Sequence, residues 1–215
     1  MYLINQSGRS MIETLGVLAI VGVLSVAGIS GYNKAMSEYR ISRLIGDYSL
    51  ILNHALEHSS FFMNSAKKAK TSVQFAKIFD DTGWLPKNWS RSNNTLYDGY
   101  FHRKVTLYSV SGQYLDFSIG LTQAKTRSKI KTEDIRLCQR IISDFVKQYH
   151  EVIYQVKIYE TGTDQAANRV FAYGKDYCGQ DKKCLFSLTP GEILEACKLC
   201  IGEKNNCNMI LLFKS

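Results

Sequence analysis

From Thr14 to Gly31 the chain carries no charged side chain. Leu15, Val17, Leu18, Ala19, Ile20, Val21, Val23, Leu24, Val26, Ala27 and Ile29 are interrupted only by Gly and Ser. The run has no polar face, so it predicts a helix that is apolar on every side. Met11 to Ser30 supplies the roughly 20 mostly apolar residues that a bilayer span requires. Beyond Gly31 a period appears. Tyr32, Met36, Tyr39, Ile41, Leu44, Ile45, Tyr48, Leu52, Ala55 and Leu56 recur mostly at three- and four-residue steps, with Lys34, Glu38, Arg40, Arg43 and Asp47 between them. That is an amphipathic helix with a core-facing stripe. The prolines, Pro86 and Pro190, lie far downstream, so one helix can run from Ser10 to about His58. Its length would be on the order of 70 Å. A break near Gly28 to Gly31 would make two helices of it without changing what either half does.

The remaining pattern alternates between the two periods. Ser72 to Asp81 predicts a short helix with Val73, Phe75, Ala76, Ile78 and Phe79 apolar, stopped by Thr82-Gly83-Trp84-Leu85-Pro86. Leu96 to Gly99 reads as a turn-rich connection. Lys104 to Val110 and Tyr114 to Leu121 alternate around Ser111-Gly112-Gln113 and predict a hairpin. Thr132 to His150 predicts a helix, with Thr132 as cap, Glu133 and Asp134 in the first turn, and Ile135, Cys138, Ile142, Phe145 and Tyr149 along one face. Val152 to Glu160, Arg169 to Tyr173 and Asn208 to Lys214 read as strands. Thr189-Pro190-Gly191-Glu192 is a capping box with Pro at N1, opening a helix to about Ile201. The fold class this predicts is α+β: a long N-terminal helix packed on an antiparallel sheet.

Cysteine changes the picture more than bulk composition does. All six cysteines, Cys138, Cys178, Cys184, Cys197, Cys200 and Cys207, lie in the second half. An even count in a membrane-targeted chain points to disulfides in an oxidising compartment. Cys197-Lys198-Leu199-Cys200 also has redox or zinc spacing, but it falls near the C-terminal end of its predicted helix. There the dipole raises a thiol pKa instead of lowering it, and no histidine follows His150. Sequence does not fix the connectivity. The expected arrangement is a local Cys178–Cys184 loop, Cys138 reaching the Cys197/Cys200 helix, and Cys207 taking the remaining partner.

The net charge of +8 is concentrated in Lys67, Lys68 and Lys70 and in Lys125, Arg127, Lys129 and Lys131. These clusters lack interleaved aromatics and read mainly as solvated loops, with DNA contact as the minor reading. The flanks of the apolar run conflict with the cysteines. Lys34, Arg40 and Arg43 follow it and Arg9 alone precedes it, which by charge count places the C-terminus in the cytoplasm. The cysteines place it outside, and that is the expectation carried forward.

One carboxylate, Glu13, stands near the start of the apolar run, where burial in hydrocarbon costs roughly 2.5–3.5 kcal/mol. The leader before it, Met1 to Gly8, has no charge, and the apolar run exceeds the core of a secretory signal. Gly8, then Glu13 five residues later, then an unbroken apolar helix, resembles the type IV pilin and pseudopilin (prepilin) family, over the first 45 or so residues. The resemblance implies cleavage by a prepilin peptidase between Gly8 and Arg9, with Arg9 as the new, N-methylated terminus. It implies that Glu13 pairs with the terminal amine of a neighbouring subunit. It further implies a bacterial inner-membrane precursor that assembles, with itself or other pilin-like subunits, into a pilus or secretion pseudopilus serving adhesion, motility, DNA uptake or secretion. A dense cysteine set goes beyond the family's usual single bridge.

The domain organisation expected is a leader over 1–8, a transmembrane and assembly half-helix over 9–31, an amphipathic half over 32–60, and an extracytoplasmic head over 61–215. The alternative is a monomeric single-pass anchor carrying the same head as a binding module. His54-Ala55-Leu56-Glu57-His58 matches an H-x-x-E-H zinc-peptidase pattern, yet no third ligand is evident, so it reads as a polar helix face. No acid, base and nucleophile converge, and neither an enzyme, a metal nor a cofactor is expected.

Overall fold

The computed structural model describes residues 11–122, 132–161, 168–199 and 206–214. The chain forms two compact units that meet in sequence between Ser42 and Arg43. Helix α1 (Met11–Glu57) is 47 residues long. It continues through Gly16, Gly22, Gly28 and Gly31 without a break. Within the first unit, every residue from Met11 to Ala35 is exposed.

The second unit begins inside α1. Leu44, Tyr48, Leu52 and Ala55 of the predicted stripe are fully buried there, together with Ile51, whereas Tyr32 and Tyr39 of that stripe are exposed. Helical geometry lapses at His58 (φ −104°, ψ 17°) and resumes as α2 (Ser59–Ala69), which buries Phe62, Met63 and Ala66. This second helix ends on Lys70 in the left-handed region (φ 54°, ψ 25°). A Cβ is disfavoured there, so Lys70→Gly is expected to raise stability by up to about 1 kcal/mol, measured as a higher midpoint in thermal unfolding.

The strands are β1 (Ser72–Gln74), β2 (Ser90–Ser92), β3 (Thr95–Tyr97), β4 (Lys104–Val110), β5 (Tyr114–Gly120), β6 (Ile153–Thr161), β7 (Asn168–Tyr173) and β8 (Asn206–Lys214), with helix α3 (Ala76–Asp81) after β1. They form one sheet in the order β2-β3-β4-β5-β8-β6-β7, and β1 also pairs with β4. All these pairings are antiparallel. The β4–β5 hairpin matches the predicted one, with Val110 opposite Tyr114. Gly112 at its tip has φ 72°, and a Cβ there would lie 2.5 Å from the Met63 carbonyl, so the turn requires glycine.

Two expectations are corrected. The helix predicted over 72–81 forms only from Ala76; Ser72–Gln74 instead pairs with Val110–Tyr108. The backbone groups along the edge of β4 are satisfied by this pairing, which outweighs local helical spacing. The supposed connection at Leu96 is strand β3, whose Leu96 is fully buried opposite Val105.

The predicted helix over 132–150 is helical throughout but unevenly wound. Helix α4 (Thr132–Arg140) passes into a π-helical turn (Ile141–Phe145) and a 3₁₀ turn (Val146–Tyr149). Helix α5 (Pro190–Lys198) starts on the expected capping box: the Thr189 N–H donates to Glu192 Oε2 (3.0 Å) and the Glu192 N–H donates to Thr189 Oγ1 (3.3 Å). The Thr189 N–H, with the Lys183 ammonium, holds the Glu192 carboxyl down at about 2. The observed class is α+β, as predicted.

Leu115, Phe117 and Ile119 of β5 point to the core and are fully buried. There Phe117, Phe145 and Trp89 surround Tyr48, with ring centroids 6.4, 5.7 and 5.8 Å from it. Alternation puts Tyr114, Asp116 and Ser118 on the opposite face of the sheet.

Candidate assembly helix and cysteine-stapled unit

The exposed part of α1 presents apolar side chains all round its axis. Met11 is 84 % exposed, Ile12 81 %, Val23 70 % and Val26 70 %. This helix is long and apolar enough to cross a membrane. Glu13 lies in the first described turn of this helix. Gly8 and Arg9, the expected cleavage pair, lie outside the described residues.

Five of the six cysteines are described, all five in disulfides. Cys138 on α4 is bonded to Cys197 on α5 across a separation of 59 residues. Cys178 is bonded to Cys184 across 6. The second is the expected local loop, and the first joins Cys138 to the expected Cys197/Cys200 helix at Cys197. Cys197 is thereby taken by Cys138 and does not pair with its C-x-x-C neighbour. Cys207, buried on β8, is also disulfide-bonded. Cys200 lies outside the described residues. The basic cluster Lys125 to Lys131 does too, whereas Lys67, Lys68 and Lys70 end α2 as an exposed group.

The zinc-peptidase pattern has a different use. The His54 and His58 rings both lie parallel to the Trp84 indole, with centroids 5.1 and 4.6 Å away. Trp84 in turn packs edge-on against Phe79 (5.4 Å). The histidines thus clamp the loop after α3 onto α1. Among the described residues no group of His, Cys, Asp and Glu could hold a metal ion. Spacing alone could not reveal this role, because Trp84 is distant in sequence.

Several buried polar groups tie the globular unit together. The Asp98 carboxylate accepts from the backbone N–H groups of Tyr100 (2.8 Å), Phe101 (2.6 Å) and Arg103 (2.6 Å), which fixes the turn before β4. The buried Arg103 guanidinium donates to the Leu121 carbonyl and pairs with Asp134 at the start of α4. The Trp89 indole N–H donates to Asp47 on α1 (2.9 Å). Burial raises the Asp47 carboxyl, against the pull of that hydrogen bond.

Asp116 is the outlier. Burial pushes its carboxyl up to about 7, although a Tyr108 hydrogen bond and the Lys157 charge pull it down. Its Oδ1 has no hydrogen-bond partner among the described residues. The folded state therefore holds a proton that the unfolded chain releases near pH 4. Below that pH the group is neutral in both states and costs nothing. As pH rises from about 4 to about 7 stability falls, and above 7 the full cost is present. Asp116→Asn is expected to flatten this slope and to stabilise the unit at pH 8 by about 2 kcal/mol, within a ceiling of about 4 set by the shift. Urea unfolding of both proteins at pH 4.5 and pH 8 checks it; parallel pH profiles would refute it.

No protein-family model, no curated protein and no solved structure matches the chain.

Proposed function

We propose that the protein is a prepilin-like structural subunit, held in the bacterial inner membrane by Met11–Gly31 and then packed helix to helix into a pilus or secretion pseudopilus. The observation that carries this reading is an exposed helix, apolar on every side, whose described residues from Met11 to Gly31 bear one carboxylate, Glu13. Such a surface is covered either by lipid or by other helices of the same kind. A carboxylate within it gains most from an opposite charge supplied by a neighbour. The terminal amine left by cleavage between Gly8 and Arg9, followed by methylation of Arg9, has that charge. The disulfides fit a head on the oxidising side of the membrane, at odds with the basic flank after the span. Partners are then the prepilin peptidase and other pilin-like subunits. Adhesion, motility, DNA uptake and secretion are the services such a filament performs.

The test is Glu13→Ala in cells that make the native protein. Membrane insertion is expected to persist, because removing a charge from an apolar span favours the bilayer. Recovery of the subunit in sheared or pelleted filaments is expected to fall at least about tenfold, which corresponds to losing an interaction of about 1.4 kcal/mol or more per contact. Unchanged recovery would leave the anchored monomeric binding module as the better reading.

A further inference from the structure

We propose that the globular unit binds an acidic saccharide in the open pocket between the Cys178–Cys184 loop and the start of strand β6. The pocket has a volume of about 520 Å³, and Tyr154, Asp176, Tyr177, Gln180, Lys182 and Lys214 line it. Such a volume lies within the range of small-ligand sites.

Its aromatic wall is Tyr154 and Tyr177, and Tyr114 and Tyr173 brace Tyr154 from outside the lining. Tyr154 on β6 stacks on Tyr114 of β5 (centroids 5.4 Å, planes 17° apart). Tyr177 stands edge-on to Tyr154 at 4.8 Å, and Tyr173 of β7 lies edge-on at 6.4 Å. These four rings are partly exposed. An aromatic face carries negative quadrupole density. It receives the weakly positive C–H face of a sugar ring, as it receives a cation.

The lysines supply the charge preference. Lys182 sits 5.2 Å from the Tyr173 ring centre and Lys214 sits 5.9 Å from that of Tyr154. Their neighbours are neutralised: Lys175 pairs with Glu151 (3.2 Å) and Lys183 with Glu192 (2.9 Å). Among the described residues Lys182 and Lys214 have no such carboxylate partner, so both ammonium groups can meet an anion. Asp176 and Gln180 beside them offer an acceptor and an amide to hydroxyl groups. An acid among the lysines, with two flanking lysines already paired, breaks the continuous positive track that a nucleic-acid backbone needs. A ring that carries both hydroxyls and a carboxylate satisfies the set.

The loop is rigid before any ligand arrives. The disulfide closes it. Gly179 and Lys182 exchange backbone hydrogen bonds of 3.1 and 2.9 Å, and Tyr173 N–H donates to the Lys183 carbonyl (2.9 Å). Gly179 (φ 134°) and Gln180 (φ 48°) take the left-handed conformations the tight turn demands. Such preorganisation lowers the ordering cost of binding.

The test uses the full-length protein in detergent micelles, so it does not depend on filament assembly. Tri-galacturonate, sialyllactose, a neutral galactose trimer and a short oligothymidylate are titrated by calorimetry. At least one acidic saccharide is expected to bind saturably, and the neutral trimer about tenfold more weakly or not at all. Tyr177→Ala and Lys182→Gln are each expected to weaken binding by about tenfold, whereas Tyr177→Phe keeps it. Lys182 is exposed, so its variant tests the site even if Tyr177→Ala fails to fold. Absence of saturable binding by both acidic saccharides would overturn the proposal. So would binding indifferent to Lys182→Gln, equal affinity for the neutral trimer, or tighter binding of the oligothymidylate.

Discussion

Tyr48→Ala is expected to lower the unfolding free energy of the globular unit by about 3–5 kcal/mol, while Tyr48→Phe leaves it unchanged or raises it by about 1. Tyr48 comes from the part of α1 inside the second unit and is fully buried. Its ring meets Trp89, Phe117 and Phe145, so it joins the helix to the sheet and to the π-helical turn at one point. Truncation to Ala leaves a cavity walled by three rings that are themselves held by other contacts, a setting in which collapse is poor and the cost high. The hydroxyl behaves differently. It is buried with no hydrogen-bond partner among the described residues, and burial holds its ionisation well above the usual range. Removing an unsatisfied buried hydroxyl relieves a desolvation cost. Denaturant unfolding followed by the fluorescence of Trp84 and Trp89 measures both variants against the parent. A Tyr48→Phe loss above about 1 kcal/mol would mean that the hydroxyl is well bonded after all.

The second large effect is unequal between the disulfides. Replacing Cys138 and Cys197 together by Ala is expected to cost about 4 kcal/mol, against about 2 for the Cys178–Cys184 pair, from the loop lengths of 59 and 6 residues. The long link ties α4 to α5, and both its cysteines are buried. Loss of the short link should act mainly on the loop that walls the saccharide pocket. Urea midpoints of the two double variants decide the order. Equal losses would show that the unfolded chain already restrains the long loop.

What the sequence revealed follows from the range over which each signal acts. The long α1 was legible because apolar all-round composition and then a helical stripe are local and repeated. The β4–β5 hairpin was legible because its strands alternate and Gly112 marks the turn. The local Cys178–Cys184 loop was expected from its short spacing and Cys138 from its inward-facing helix position, but the choice of Cys197 over Cys200 was not legible. Strand β1 was missed because its partner, the edge of β4, lies in another segment, and three residues carry too little pattern. Leu96 was missed for the same reason. Helix α2 was not anticipated because the lapse at His58 has no glycine or proline to announce it. The use of His54 and His58 depends on Trp84, and the pocket's rings, Tyr154 and Tyr177, depend on Tyr114 and Tyr173 packed against Tyr154. No spacing rule connects such positions; only the antiparallel register brings them to one end of the sheet. The lysines that the fold sets beside aromatic rings, Lys182 and Lys214, belong to neither basic cluster.

On the proposed function, cleavage between Gly8 and Arg9 leaves an amine that the Glu13 carboxylate of a neighbouring subunit receives. The most direct measurement is mass spectrometry of the N-terminal peptide from the protein purified out of the cells that make it. A mature chain beginning at Arg9, with a methyl group on its amine, is the expected result. An N-terminal peptide that retains Met1 to Gly8 would contradict it and would leave α1 as a membrane anchor alone.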